Sequence, residues 1–134
     1  MPSNSITILD ETTHPNDSTV ETVTGDKYKG DGYYGRSDGL HTVQINLNDF
    51  VGTINIQATL SADPTSSDWF TVELGTGSQS VDTTGLIAEE NITEIEYTDA
   101  TTNNKVYNFT GNYVWVRAYV SYTAGTINSI MLNH

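Results

Sequence analysis

The sequence contains no cysteine. That excludes thiol nucleophiles, thiolate metal sites and disulfide staples, and it leaves the redox compartment undetermined. Basic residues are scarce as well. Five Lys and Arg face seventeen Asp and Glu, for a net charge of −12 at pH 7. Binding a nucleic-acid backbone depends on cationic neutralisation of phosphate. No nucleic-acid partner is therefore expected, nor an anionic membrane surface. Long apolar runs are missing too, so no segment reads as a membrane-spanning helix. The opening "MPSNSITILDETTHPNDS" has neither the basic n-region nor the apolar h-region of a secretory signal. There is no internal repeat and no low-complexity segment. Helical periodicity is also missing; "TTGLIAEEN" at 83–91 comes nearest, with one or two turns at most.

What remains is a β protein. The 134 residues suit a single domain. A chain of this size buries roughly two-thirds of its unfolded surface, so it needs no metal or crosslink to hold a core. Threonine is abundant, and β-branched and aromatic residues favour strands. The period agrees. Val43, Ile45 and Leu47 alternate with polar neighbours, as do Ile54, Ile56, Ala58 and Leu60. Val114, Val116, Ala118 and Val120 form one face of a third strand. Weaker strands are predicted at 5–9, 19–24, 69–74, 92–97 and 105–109. In "TINSIML" the phase changes between Ile127 and Ile130, which predicts a bulge or burial on both faces. Turn residues punctuate the chain at, among others, "GDGYYGRSDG", "NDFVG", "TDATTNN" and "TAG". The expected fold is all-β, an antiparallel β-sandwich of jelly-roll type with at most one short helical turn. Residues 1–18 read as a polar N-terminal arm able to order on another subunit, and 19–134 as the single sandwich domain.

Candidate chemistry is thin. His14, His41 and His134 are scattered, no carboxylate pair sits in apolar surroundings, and no serine lies in a strand-to-helix elbow. The chain reads as a non-enzyme. Asp26, Asp31 and Asp38 bracket "GDGYYGRSDG", but their spacing departs from the EF-hand calcium loop. Asp63 and Asp68 flank a second loop. Turn chemistry accounts for both, since Asp caps its own turns and Gly supplies positive φ. No metal and no cofactor are expected. The most informative surface is aromatic. Tyr113, Trp115, Arg117 and Tyr119 share the face opposite the apolar one, and Tyr33, Tyr34 and Arg36 lie in the glycine-rich loop. Such a stripe fits a core covered by loops, a protein interface or a sugar platform.

Two stretches carry a resemblance. They are "GTINIQATLSADPTSSDWFTVEL" at 52–74 and "YNFTGNYVWVRAYVSYTAGTINSIMLNH" at 107–134. With "GYYGRSDGLHTVQINLNDF" at 32–50, they resemble the small β-sandwich virion structural proteins of tailed bacteriophages, T4-like phages of marine cyanobacteria in particular. The resemblance spans most of 30–134 and is weaker over 1–29. It implies a non-enzymatic virion component, assembled in the host bacterial cytoplasm. Such a component is homo-oligomeric and in contact with other virion proteins. The resemblance does not separate capsid decoration from a neck, tail or fibre-associated role; a compact chain without the long repetitive shaft of a fibre favours capsid decoration. The "IQATL…DWF" pattern is also similar to discoidin-like ligand-binding sandwiches. That keeps open the alternative of a glycan-binding module for host attachment, with a carbohydrate partner.

Overall fold

The computed structural model describes residues 5–15, 17, 19–35, 39–81 and 87–134, and for 76–81 and 87–90 the backbone alone. Among these the strands are β1 (Ile6–Leu9), β2 (Thr12–Thr13), β3 (Glu21–Thr24), β4 (Tyr28–Lys29) and β5 (Leu40–Thr59). They continue as β6 (Phe70–Thr71), β7 (Leu74–Val81), β8 (Ile87–Ile92), β9 (Ile95–Thr110) and β10 (Trp115–Asn133). A 3-10 turn at Asp31–Tyr34 is the one helical piece among the described residues. Every strand pair is antiparallel, and the backbone of the sheet runs β1-β10-β5-β9-β7-β8. The fold is an all-β antiparallel sandwich.

Three strands are far longer than the usual roughly 3–10 residues. β5 has 20 residues, β10 has 19 and β9 has 16. The expected turns "NDFVG", "TAG" and "TDATTNN" fall inside them. At these points the chain bends without reversing. The cause is local backbone geometry: Asp49 has φ 52° and Gly52 φ 154° in β5, and Gly125 has φ 93° in β10. Register slips at the same level, between Leu47 and Gly52 against β9 and between Tyr122 and Thr126 against β5. A Cβ on Gly125 would run into the backbone carbonyl of Asp49, so the two bends fit only with glycine there.

An extra residue at a bulge flips the facing parity. In β5 the buried positions pass from Val43, Ile45 and Leu47 to Phe50, Ile54, Ile56 and Ala58. In β10 they run Val116, Ala118, Val120, Tyr122, then Ile127, then Ile130 and Leu132, with a further register shift between Ile127 and Ser129. The phase change read from "TINSIML" is thus a bulge. One face stays buried along both halves of the bent sheet, and Phe50 stacks on Tyr122 at the bend, 5.7 Å between ring centres.

The remaining edge of β10 is covered by β1 to β4 in succession, from Ile130–Leu132 back to Trp115. Strands β1 to β4 therefore act as one interrupted edge strand, with Ile8 buried in the core. Short interrupted edges resist unwanted pairing. Of the segment 83–91, read as the nearest approach to a helix, residues 87–91 are instead part of β8. Its backbone pairs with β7 from Leu74↔Ile92 to Val81↔Ile87, and that ladder outcompetes a one-turn helix, which is costly to nucleate. Residues 83–86 lie outside the described residues.

Candidate functional site

β10 opens at Trp115 and alternates cleanly. Val116, Ala118 and Val120 point into the core, so Trp115, Arg117 and Tyr119 stand half-buried on the outer face. β4 places Lys29 opposite Trp115 in the ladder. Lys27 Nζ then lies 4.6 Å above the Trp115 ring, and Lys29 Nζ lies 4.5 Å above Tyr33. The Tyr33 and Trp115 rings are 5.1 Å apart, and Trp115 Nε1 donates to the Ala62 carbonyl at 3.0 Å. Further along, the Arg117 guanidinium sits 4.2 Å over Trp69 while its Nε donates to Gln57 Oε1 at 2.8 Å. Burial draws the Arg117 guanidinium below its ordinary pKa, with Tyr119 acting in the other direction. The result is an aromatic–cation patch of two neighbouring groups on one strand face, Tyr33 and Trp115 with Lys27 and Lys29, and Trp69 with Arg117. It holds three of the chain's five Lys and Arg, namely Lys27, Lys29 and Arg117.

The glycine-rich loop is anchored from below. The Asp31 backbone N–H donates to His41 Nε2 at 3.2 Å, so His41 carries its proton on Nδ1 and donates it to the Gly39 carbonyl at 2.8 Å. His41 is fully buried and lies flat on Phe109, 4.7 Å between centres. The buried Asp31 carboxylate accepts from His134 Nδ1 at 2.8 Å, and Tyr34 stacks on the His134 ring at 5.5 Å. Asp31, His41 and His134 have the residue types of an acid–base site, but these bonds pin the loop to the strand start and to the last residue. With the loop held, Tyr33 and Tyr34 stay 46% and 50% exposed.

Tyr113 departs from the stripe. It lies two residues before β10, where strand alternation does not yet apply. Its ring packs edge-on to Phe70 at 5.4 Å and near Phe109 at 6.1 Å. There it lines a cleft of about 640 Å³ together with Leu40, Phe70, Glu73, Asn91 and Asn108. Burial raises the Tyr113 hydroxyl pKa, and the Glu73 carboxylate raises it further.

The seven residues singled out by sequence thus fall into separate places. Tyr33, Trp115 and Arg117 share the patch, Tyr34 flanks it, and Tyr119 continues its face. Tyr113 belongs to the cleft, and Arg36 lies outside the described residues. Lys27, Lys29 and Trp69 were missed, because only tertiary pairing brings them to the patch, β4 with β10 for the lysines and β6 with β5, then β5 with β10, for Trp69. The alternation of Lys around Tyr28 in "DKYK" was the one available signal. Of the Asp loops, Asp38 lies outside the described residues and Asp68 Oδ2 accepts from the Thr65 amide at 2.7 Å, which is turn chemistry. Among the described residues no group of three or more metal-ligating side chains converges.

No protein-family model matches this sequence, and no curated protein matches it. The fold, however, has precedent. An SPBc2 prophage-derived protein, YomS, superposes with a TM-score of 0.58 at 12% identity, covering 98% of this chain and 90% of that one. The two share a fold. More distant superpositions include a family 29 carbohydrate-binding module from Piromyces equi, at TM-score 0.42 and 8% identity over 100% and 93% of the chains. Another is the K1 cleaved adhesin domain of Lys-gingipain from Porphyromonas gingivalis W83, at 0.37 and 11% over 99% and 89%. Both lie below the similarity at which a shared fold follows.

Proposed function

We propose that this chain is a non-enzymatic bacteriophage virion component that works through protein contacts, with copies of itself and with other virion proteins. Capsid decoration is the simplest such role. The observation that carries the reading is the outer patch. In a domain of net charge −12, approach of a second copy meets like-charge repulsion almost everywhere. The patch gathers Lys27, Lys29 and Arg117 on Trp115, Tyr33 and Trp69, so it is the surface where an acidic neighbour is welcomed. Trp, Tyr and Arg are also the residue types that dominate binding energy at interfaces. A basic patch meeting an acidic face elsewhere on the next copy is a heterologous contact, which gives a ring where the rotation closes and an open filament where it does not. The fold shared with a prophage-derived protein over nearly the whole of both chains supports a phage setting, as do the phage-like stretches at 52–74 and 107–134.

The test is the assembly state. The native protein should self-associate in light scattering. Trp115→Ala should shift it to smaller species while circular dichroism stays β-rich. A folded variant with an unchanged oligomer would remove the patch from the contact.

A further inference from the structure

The cleft beside Tyr113 takes no part in the proposed subunit contact, and its chemistry differs from that of the patch. Its volume of about 640 Å³ lies within the roughly 300–1,000 Å³ of small-molecule sites. Two rings line it at an angle. Phe70 is 43% exposed and meets Tyr113 edge-on, which leaves ring surface open to a ligand. The polar groups are of a particular kind. Asn91 and Asn108 supply amides, and Glu73 supplies the charged group. Thr42 Oγ1 donates to Asn108 Oδ1 at 2.8 Å, which orients that amide with its NH₂ as donor.

Rings with amides and a carboxylate suit one ligand class. The C–H face of a sugar packs on an aromatic ring, while its hydroxyls both donate and accept. A mixed set of amide donors, amide acceptors and one carboxylate satisfies them. An anionic ligand is disfavoured, because among the described residues no Lys or Arg lines the cleft and Glu73 does, in a chain of net charge −12. A purely apolar ligand would leave Glu73 and the two asparagines without compensation for lost water. We infer that the cleft between β6 and the end of β9 binds a short neutral oligosaccharide, with Phe70 and Tyr113 as the stacking surfaces and Glu73, Asn91 and Asn108 as hydroxyl partners. This site is separate from the aromatic face of β10. A particle component of the proposed kind would then hold its neighbours with one surface and a glycan with the other.

The experiment is titration of the native protein with cello-, xylo-, manno- and galacto-oligosaccharides and, as the acidic comparison, an oligogalacturonide, followed by calorimetry and by tyrosine and tryptophan fluorescence. Saturable binding of at least one neutral oligosaccharide is expected. Phe70→Ala removes an exposed ring and should fold; it should weaken binding about tenfold, the scale of one lost ring contact. Asn91→Ala should weaken it less and serves as a second probe. Trp115→Ala should disturb assembly and leave binding intact, so failure here is separable from failure of the assembly reading. Three results would overturn the inference: no binding by any member of the panel, binding lost in Trp115→Ala but kept in Phe70→Ala, or preference for acidic over neutral sugars.

Discussion

Tyr113 and Trp115 are two residues apart, yet they serve opposite surroundings. Trp115 is inside β10, in register with Lys29 and Thr59, and carries a cation on its face. Tyr113 precedes the strand, turns toward Phe70 and Phe109, and feels the carboxylate of Glu73. The period-two rule assigns both to one face, but it holds only where a ladder fixes the backbone. One residue of ladder therefore separates a cation-decorated patch from an anionic cleft. On a strongly acidic protein, that difference in local sign gives the two proposed contact surfaces opposite charge preferences.

The two regions share one support, and removing it should have the largest effect. Phe109 stacks on His41, which holds the Asp31 amide beneath Tyr33 and Tyr34, and the same ring borders Tyr113. Phe109 is 3% exposed. Phe109→Ala should cost about 3–5 kcal/mol in urea unfolding. Hydrogen exchange should speed up both at the Asp31 amide and around Tyr113. If the Asp31 amide stays protected while the cleft loosens, the two regions are mechanically independent.

Next in size is Trp115→Ala. Loss of the Tyr33 contact and of the Lys27 cation should cost about 1–2 kcal/mol, besides the shift in assembly. Arg117→Lys is gentler. It keeps the charge but loses the planar stack on Trp69 and the Nε bond to Gln57. About 0.5–1 kcal/mol is expected in thermal unfolding. An Arg117→Lys variant that assembles as weakly as Trp115→Ala would extend the contact along β10; normal assembly would confine it to the Trp115 end.

Much of the fold was legible because strands declare themselves by alternation. Val43–Leu47, Ile54–Ala58 and Val116–Val120 are all core, as their spacing requires. The bends were misread for a physical reason. Asp, Asn and Gly mark positive φ, but positive φ serves a bulge as well as a reversal, and only the ladder partners decide between them. "NDFVG" and "TAG" meet across β5 and β10, a pairing no local pattern reveals. The site was legible in part for the same reason. Tyr33, Trp115 and Arg117 announced an aromatic–cation surface, whereas Lys27 and Trp69 reach it only through tertiary pairing. Phe70 and Glu73 lie on opposite sides of Val72 in a short stretch whose alternation is too brief to signal a cleft wall.

The smallest expected effect separates the regions by charge alone. Tyr113 has its pKa raised above the ordinary 10.0, by burial first and by Glu73 second. A raised folded-state value means that the group's contribution to stability is complete below the unfolded pKa. It is lost as pH rises through the folded one. Tyr107 and Tyr122 are raised as well, chiefly by burial, so all three weaken the fold in the same alkaline window above about pH 10. Glu73→Gln removes only the second of the two causes at Tyr113. Its phenolate should therefore appear at somewhat lower pH in an ultraviolet titration, and stability in that window should rise slightly. Burial should keep the midpoint above the ordinary tyrosine value. The same substitution should leave light scattering unchanged, because Glu73 lines the cleft and not the patch. If Glu73→Gln alters assembly but not the Tyr113 titration, the carboxylate acts on the subunit contact, and the division of the surface into two sites fails at its most sensitive point.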